Sequence, residues 1–168
     1  MEQFDALDKY GNPLGFRLVR GESIPKGIYF GIVTIVCYSK IKDSFLVTKR
    51  NPNKPSGNLW EITGGGIQAS ENALAAARRE LGEETGIWLQ NEDFKILDKE
   101  ADWPFVCHSF VVSLKESYDI KLDPKETIDY MWLDRKEFLN FIQSKHFVSQ
   151  IGKRILNHKE EIKKIINN

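Results

Sequence analysis

Tyr29 to Tyr38 is a long run rich in β-branched and aromatic residues, and Ser44 to Lys49 is another, with the polar stretch Ser39 to Asp43 between them. That pattern predicts an antiparallel pair of strands near the centre of a sheet. Upstream, residues 1 to 27 carry the turn signals Gly11-Asn12-Pro13 and Ile24-Pro25-Lys26-Gly27 around the short apolar run Phe16 to Val19. This reads as an N-terminal extension holding one hairpin. Asn51 to Asn58, rich in Asn, Pro, Lys and Gly, is a surface loop that delivers Leu59-Trp60-Glu61-Ile62 to the triple glycine Gly64-Gly65-Gly66. Ser70 is then positioned to cap a helix running to about Thr85, with Ala73, Ala76, Ala77 and Leu81 as its apolar stripe and Gly86 as its stop.

Further on, Phe94 to Leu97, Phe105 to Leu114 and Tyr130 to Leu133 have strand character. Asp134 opens a short helix containing Phe138, Leu139 and Phe141. Ser149 opens a final one, within residues 146 to 168, whose buried side comprises Ile151, Ile155, Ile162, Ile165 and Ile166. The order of strands, helix, strands and helices predicts an α/β chain with a mixed sheet packed between helices, folded as one domain over residues 1 to 168.

Composition narrows the function classes. The hydrophobic share is 41% and the charged share 29%, which excludes disordered and fibrous chains. Lys plus Arg equal Asp plus Glu at 24 each, so no overall field draws the molecule to nucleic acid or to an anionic membrane. The polar, acidic stretch Met1 to Tyr10 lacks an apolar leader, and no run elsewhere is long enough for a membrane span, so the expected address is the cytoplasm. Cys37 and Cys107 lie in apolar runs and read as small buried hydrophobes. His108, His146 and His158 show no metal-ligand spacing, and the lysines from Lys153 to Lys164 alternate with Glu160 and Glu161 as on a solvated helix face.

The chemistry is concentrated between residues 65 and 87: Gly65, five residues, Glu71, seven residues, then Arg79-Glu80-Leu81-Gly82-Glu83-Glu84-Thr85-Gly86-Ile87. Glu80, Glu83 and Glu84 stand at i, i+3 and i+4 and share one helix face. Three carboxylates on one face repel unless cations neutralise them, and hard divalent ions such as Mg²⁺ or Mn²⁺ take oxygen ligands of this kind. Arg79 projects to a different azimuth, better placed to fix a neighbouring carboxylate than to chelate.

In every fixed position this stretch resembles the Nudix box, the signature of a family of Mg²⁺-dependent hydrolases that cleave a nucleoside diphosphate linked to a moiety X. The resemblance implies a Nudix-like α/β/α sandwich, metal ligands Gly65 (through its carbonyl), Glu80, Glu83 and Glu84, and an Arg79 that orients the box glutamates with Glu71 as its partner. It implies a metal-activated water as nucleophile and a small-molecule diphosphate as substrate. Many members pair into homodimers, and the N-terminal extension is a candidate surface for that.

Outside the box, Phe45 to Arg50 and Gly57 to Glu61 are also similar to Nudix hydrolases. Arg50, at a strand end facing the expected site, is a candidate for substrate phosphate, against a plain exposed arginine. Trp60 is a candidate for stacking on a base, against core packing. Gly64 belongs to the same substrate-facing group. The general base stays open among Glu83, Glu100, Asp102, Glu116 and Glu126, with Glu126 favoured by its place just before a strand. The lead-in Asp5 to Asn12, with Gly15 and Arg17 to Gly21, is similar to that of isopentenyl-diphosphate isomerases. Those enzymes use a cysteine where this chain has Thr63-Gly64-Gly65, and their box is degenerate. A non-catalytic nucleotide-binding module is the third reading.

Overall fold

A computed structural model describes residues 1 to 168. Two strands, β1 (Gln3–Leu7) and β2 (Pro13–Val19), form an antiparallel hairpin of their own. The main sheet begins with β3 (Phe30–Ser39) and β4 (Ser44–Arg50). It continues with the short β5 (Trp60–Glu61) and β6 (Thr63–Gly66) and, after helix α1 (Ala73–Thr85), with β7 (Phe94–Asp102), β8 (Phe105–Leu114) and β9 (Thr127–Asp134). Helices α2 (Arg135–Phe141), α3 (Ser149–Asn157) and α4 (Lys159–Asn167) complete the chain.

β3 and β4 start as a hairpin but stay paired only through Tyr38 with Phe45 and Ser39 with Ser44. Beyond that they part, and the fork is filled by β5 on the β4 side and β6 on the β3 side. The other edge of β3 runs parallel to β8 along its whole length, and the other edge of β4 is antiparallel to β9. The sheet is therefore mixed, and the fork sets the triple glycine at its middle.

Alternation along the strands sorts the core into two layers. Val33, Ile35 and Cys37 of β3, with Phe110, Val112 and Leu114 of β8, pack under Ala76, Ala77 and Leu81 of α1. Val36 and Tyr38, with Phe45, Val47 and Val111, face the opposite way onto Phe138, Ile155, Ile162 and Ile166 of the C-terminal helices. Helices thus cover both faces, which is the expected α/β/α sandwich. Each fully buried Val, Ile or Leu contributes about 1.5–3 kcal/mol of transfer free energy. No helix is long and apolar enough to cross a membrane.

Three local expectations change. The cap of α1 is Asn72, whose side chain accepts from the Ala75 amide at 2.9 Å, while Ser70 sits in a tight turn at φ +67°. Ser70 is held there by the hairpin, its amide donating to Asp5 Oδ2 at 2.8 Å and its hydroxyl accepting from Arg17 at 3.3 Å. Gly86 does stop the helix, at φ 76°. The strand expected to end at Leu97 runs on to Asp102. The single final helix is two, broken at His158, where φ is −110° and ψ is 16°.

Candidate active site

The box helix and the triple-glycine strand meet face to face. A Cβ on Gly65 would overlap the Glu80 carboxyl group, so the bare glycine lets that carboxylate lie directly against the strand. Glu84 is buried, Glu80 is partly buried with 12% of its side chain exposed, and Glu83, at 52% side-chain exposure, faces solvent. Arg79 organises the group. Its Nε and Nη2 hold both oxygens of Glu71 at 2.9 Å, Nη2 also donates to the Gly66 carbonyl at 2.9 Å, and Nη1 reaches Glu80 at 2.8 Å and Glu83 at 3.1 Å. A guanidinium fork suits this planar, two-point grip on carboxylates.

Glu84 is 2% exposed and its Oε2 has no hydrogen-bond partner. Burial, with the charges of Glu61 and Glu80 beside it, holds its carboxyl well above the usual carboxylate range. Burial raises Glu80 as well, against the pull of Arg79. A buried acid with an unsatisfied oxygen is costly unless a positive partner arrives. The donor set is all oxygen and faces a polar cavity of about 750 Å³, so it fits a hard divalent cation.

Basic side chains line the same cavity. Lys54, from the loop between β4 and β5, pairs with Glu126, and its ammonium is pushed below the usual lysine range by burial, with Glu84 opposing that shift. Arg17 and Arg20 reach in from the β1–β2 hairpin. A second cavity of about 410 Å³ adjoins the first and shares Lys54, Arg20 and Gly64 to Gly66 with it. Its remaining walls include Leu18, Ile24, Phe30, Phe105 and Ile151.

The structure brings together Gly64, Gly65, Arg79, Glu80, Glu83, Glu84 and Glu126 around the larger cavity. Of the two residues expected at substrate, Arg50 borders the smaller cavity with its charge already paired, and Trp60 borders neither. Arg50 Nη1 is taken by both oxygens of Glu61 at 2.7 Å and its Nε by the Pro55 carbonyl at 2.9 Å, so it fixes Glu61 and the loop rather than offering a free charge. Trp60 packs edge-on against Phe141, with ring centroids 6.0 Å apart, and lines neither cavity. Successive strand residues point to opposite faces, so it is Glu61, not Trp60, that turns towards the box. Among the other acids, Glu100 is engaged by Arg154 and His158, Asp102 borders only the smaller cavity, and Glu116 borders neither. Lys54, Glu61 and the hairpin arginines were missed. A glutamate inside an apolar strand next to three glycines was the available signal for Glu61, whereas nothing local marks Lys54 or Arg20.

A helix-borne carboxylate cluster thus faces a glycine strand, is clamped by one arginine and shares its cavity with basic side chains. The NUDIX domain family matches residues 30–152, and the chain belongs to that family. It is 33% identical over 96 residues to Nudix hydrolase 3 of Arabidopsis thaliana, covering 56% of this chain and 12% of that protein. It is 28% identical over 110 residues to phosphatase NudJ of Escherichia coli K12, covering 64% and 71%. An RNA pyrophosphohydrolase of Bartonella clarridgeiae is 40% identical over 58 residues, covering 34% of this chain and 31% of that protein. In fold it is similar to DR0079 of Deinococcus radiodurans, with a TM-score of 0.74 and 16% identity over 91% of this chain and 98% of that one. A MutT protein of Methanosarcina mazei gives a TM-score of 0.66 at 21% identity, over 79% and 94%.

Proposed function

We propose that this chain is a divalent-cation-dependent hydrolase that cleaves the diphosphate linkage of a nucleoside diphosphate joined to a moiety X. The observation that carries this is the buried Glu84 carboxylate, with one oxygen unpaired, standing with Glu80 and Glu83 in a cavity that Lys54, Arg17 and Arg20 also line. Acidic and basic side chains in one cavity suit a cation and a phosphate chain lying together. Relatives named as a phosphatase and as an RNA pyrophosphohydrolase support the reaction class.

Glu80, Glu83, Glu84 and the Gly65 carbonyl would hold the cation, Mg²⁺ or Mn²⁺. When bound there, such an ion neutralises diphosphate oxygens and lowers the pKa of water. Arg79 keeps the carboxylates in place before substrate arrives, so no reorganisation is required during the reaction. Lys54, Arg17 and Arg20 draw the phosphates into the cavity, and the adjoining apolar cavity receives X. Glu83 and Glu126 remain the acids placed to accept a proton from water, Glu126 with its charge balanced by Lys54.

The isomerase reading loses its nucleophile. Both cysteines are buried in the sheet, and burial raises the Cys37 thiol far above its ordinary value and Cys107 in the same direction.

The test is phosphate release from a panel of nucleoside triphosphates, sugar nucleotides, dinucleotides and isopentenyl diphosphate, with and without Mg²⁺ or Mn²⁺. Cleavage of one class, abolished by chelator, is expected. Silence of the folded protein with every ion and substrate would overturn the proposal.

A further inference from the structure

We propose that Asp98, Glu100 and His158 form a metal site of their own, which binds a first-row divalent transition ion of the Zn²⁺ type and staples the α3–α4 junction to strand β7. None of the three lines the box cavity, and the inference stands independently of the diphosphatase reading.

The site is assembled by two irregularities. The β7–β8 register slips between Ile96 and Asp98. Strict alternation from Leu97, which packs towards the C-terminal helices, would turn Asp98 and Glu100 to the other face. The extra residue at the slip brings both acids round to the helices instead, as bulges do. On the helix side, the break at His158 presents an imidazole at the turn between α3 and α4.

The three donor atoms lie within 4.8 Å of one another. His158 Nε2 is 3.2 Å from Asp98 Oδ2 and 3.2 Å from Glu100 Oε1. An ion about 2.0–2.2 Å from tetrahedral N and O ligands separates those ligands by about 3.3 Å, so both contacts of His158 match a coordination shell. It matches a simple ion pair less well, because one ring N–H cannot point along both contacts and charge-assisted bonds run to about 2.7–2.9 Å.

Asp98 supplies the second observation. Its side chain is 7% exposed, neither oxygen has a hydrogen-bond partner, and both are buried. The nearest arginine nitrogen, Arg154 Nε, is 4.0 Å away and lies closer, at 3.3 Å, to Glu100 Oε2. Arg154 thus steadies one oxygen of Glu100 and leaves the other for the ion. Two carboxylates against one guanidinium leave a net negative charge to attract a cation, and the imidazole selects transition ions over Mg²⁺. Three protein ligands leave a fourth position for water.

The experiment is zinc binding by equilibrium dialysis of the full chain in excess Mg²⁺, with thermal melting of the same samples. Wild type and E84Q should each retain one Zn²⁺ per chain and melt higher with zinc than without. H158Q and D98N should bind at least about tenfold more weakly and lose the zinc-dependent rise. Circular dichroism and a cooperative zinc-free melt, unchanged in H158Q, report that the variant is folded. If D98N does not fold, E100Q, whose side chain is 44% exposed, carries the same readout. Absence of bound zinc in wild type, or equal binding in H158Q, would overturn the proposal and leave these residues an ion-pair network.

Discussion

Two acidic clusters stand in this molecule, and they are prepared for cations in opposite ways. On α1 the carboxylates come from consecutive turns of one helix and are locked by Arg79, which contacts Glu71, Glu80, Glu83 and the Gly66 carbonyl at once. On β7 the acids come from an edge strand and the imidazole from a residue 58 positions away, with Arg154 touching them lightly. The first cluster is set before any ion enters. The second is closed by the ion. The difference teaches that a local motif can carry its own scaffold, whereas a site made across the fold draws its rigidity from what it binds.

The largest expected effect lies within the box. Glu83→Gln and Glu84→Gln should each lower kcat by about 100-fold or more with circular dichroism unchanged. Near-normal turnover in both would sink the assignment of that cluster. Arg79→Lys comes next. A lysine cannot reproduce the two-point grip on Glu71 while also reaching Glu80, so kcat should fall about tenfold at saturating cation. Arg154→Lys should leave kcat alone, and an equal loss in both variants would erase the contrast between a pre-set and an ion-closed site.

Gly65→Ala is expected to cost about 1–3 kcal/mol in chemical denaturation, because the added methyl meets the Glu80 carboxyl. Unchanged stability would mean that the two walls can separate freely. The smallest effect is a pH dependence at Glu71. Burial pushes its carboxyl up, but the Arg79 hydrogen bonds and the Gln68 amide outweigh this and hold it below the ordinary value of 4.5. A depressed folded pKa contributes stability that is present above the unfolded value and disappears as pH falls through the folded one. The melting gap between wild type and Glu71→Gln should therefore be full at neutral pH and close below about pH 4.5. A gap constant down to pH 3 would refute the ion-pair account.

The sandwich, the box helix and its clustered glutamates were legible because each rests on local periodicity: β-branched runs for β3 and β8, an alanine stripe for α1, and fixed offsets from Gly65 to Gly86. Trp60 was misplaced because strand phase decides which face a residue sees, whereas Arg50 stands on the expected side with its charge taken up by Glu61. One position separates Trp60, turned to the α2 side, from Glu61, turned to the box. Lys54 and Arg20 escaped because loops and an N-terminal hairpin reach the site only through tertiary packing. The β7 cluster escaped for a related reason: the slip after Ile96 and the break at His158 both interrupt the very regularities from which faces are inferred.

The parallel pairing of β3 with β8 has a consequence for how the protein is made. Thr34 and Ser109, neighbours across that pairing, are 75 residues apart. A ribosome that has released the box helix has not yet supplied the strand that lies beside β3. Until Phe105 to Leu114 emerges, that strand keeps one edge unpaired, and its run of valines and isoleucines is open to strands of neighbouring nascent chains. The catalytic motif is thus synthesised early and waits on the sheet, so the interval between residues 39 and 114 is where a slow codon or a missing chaperone would cost yield.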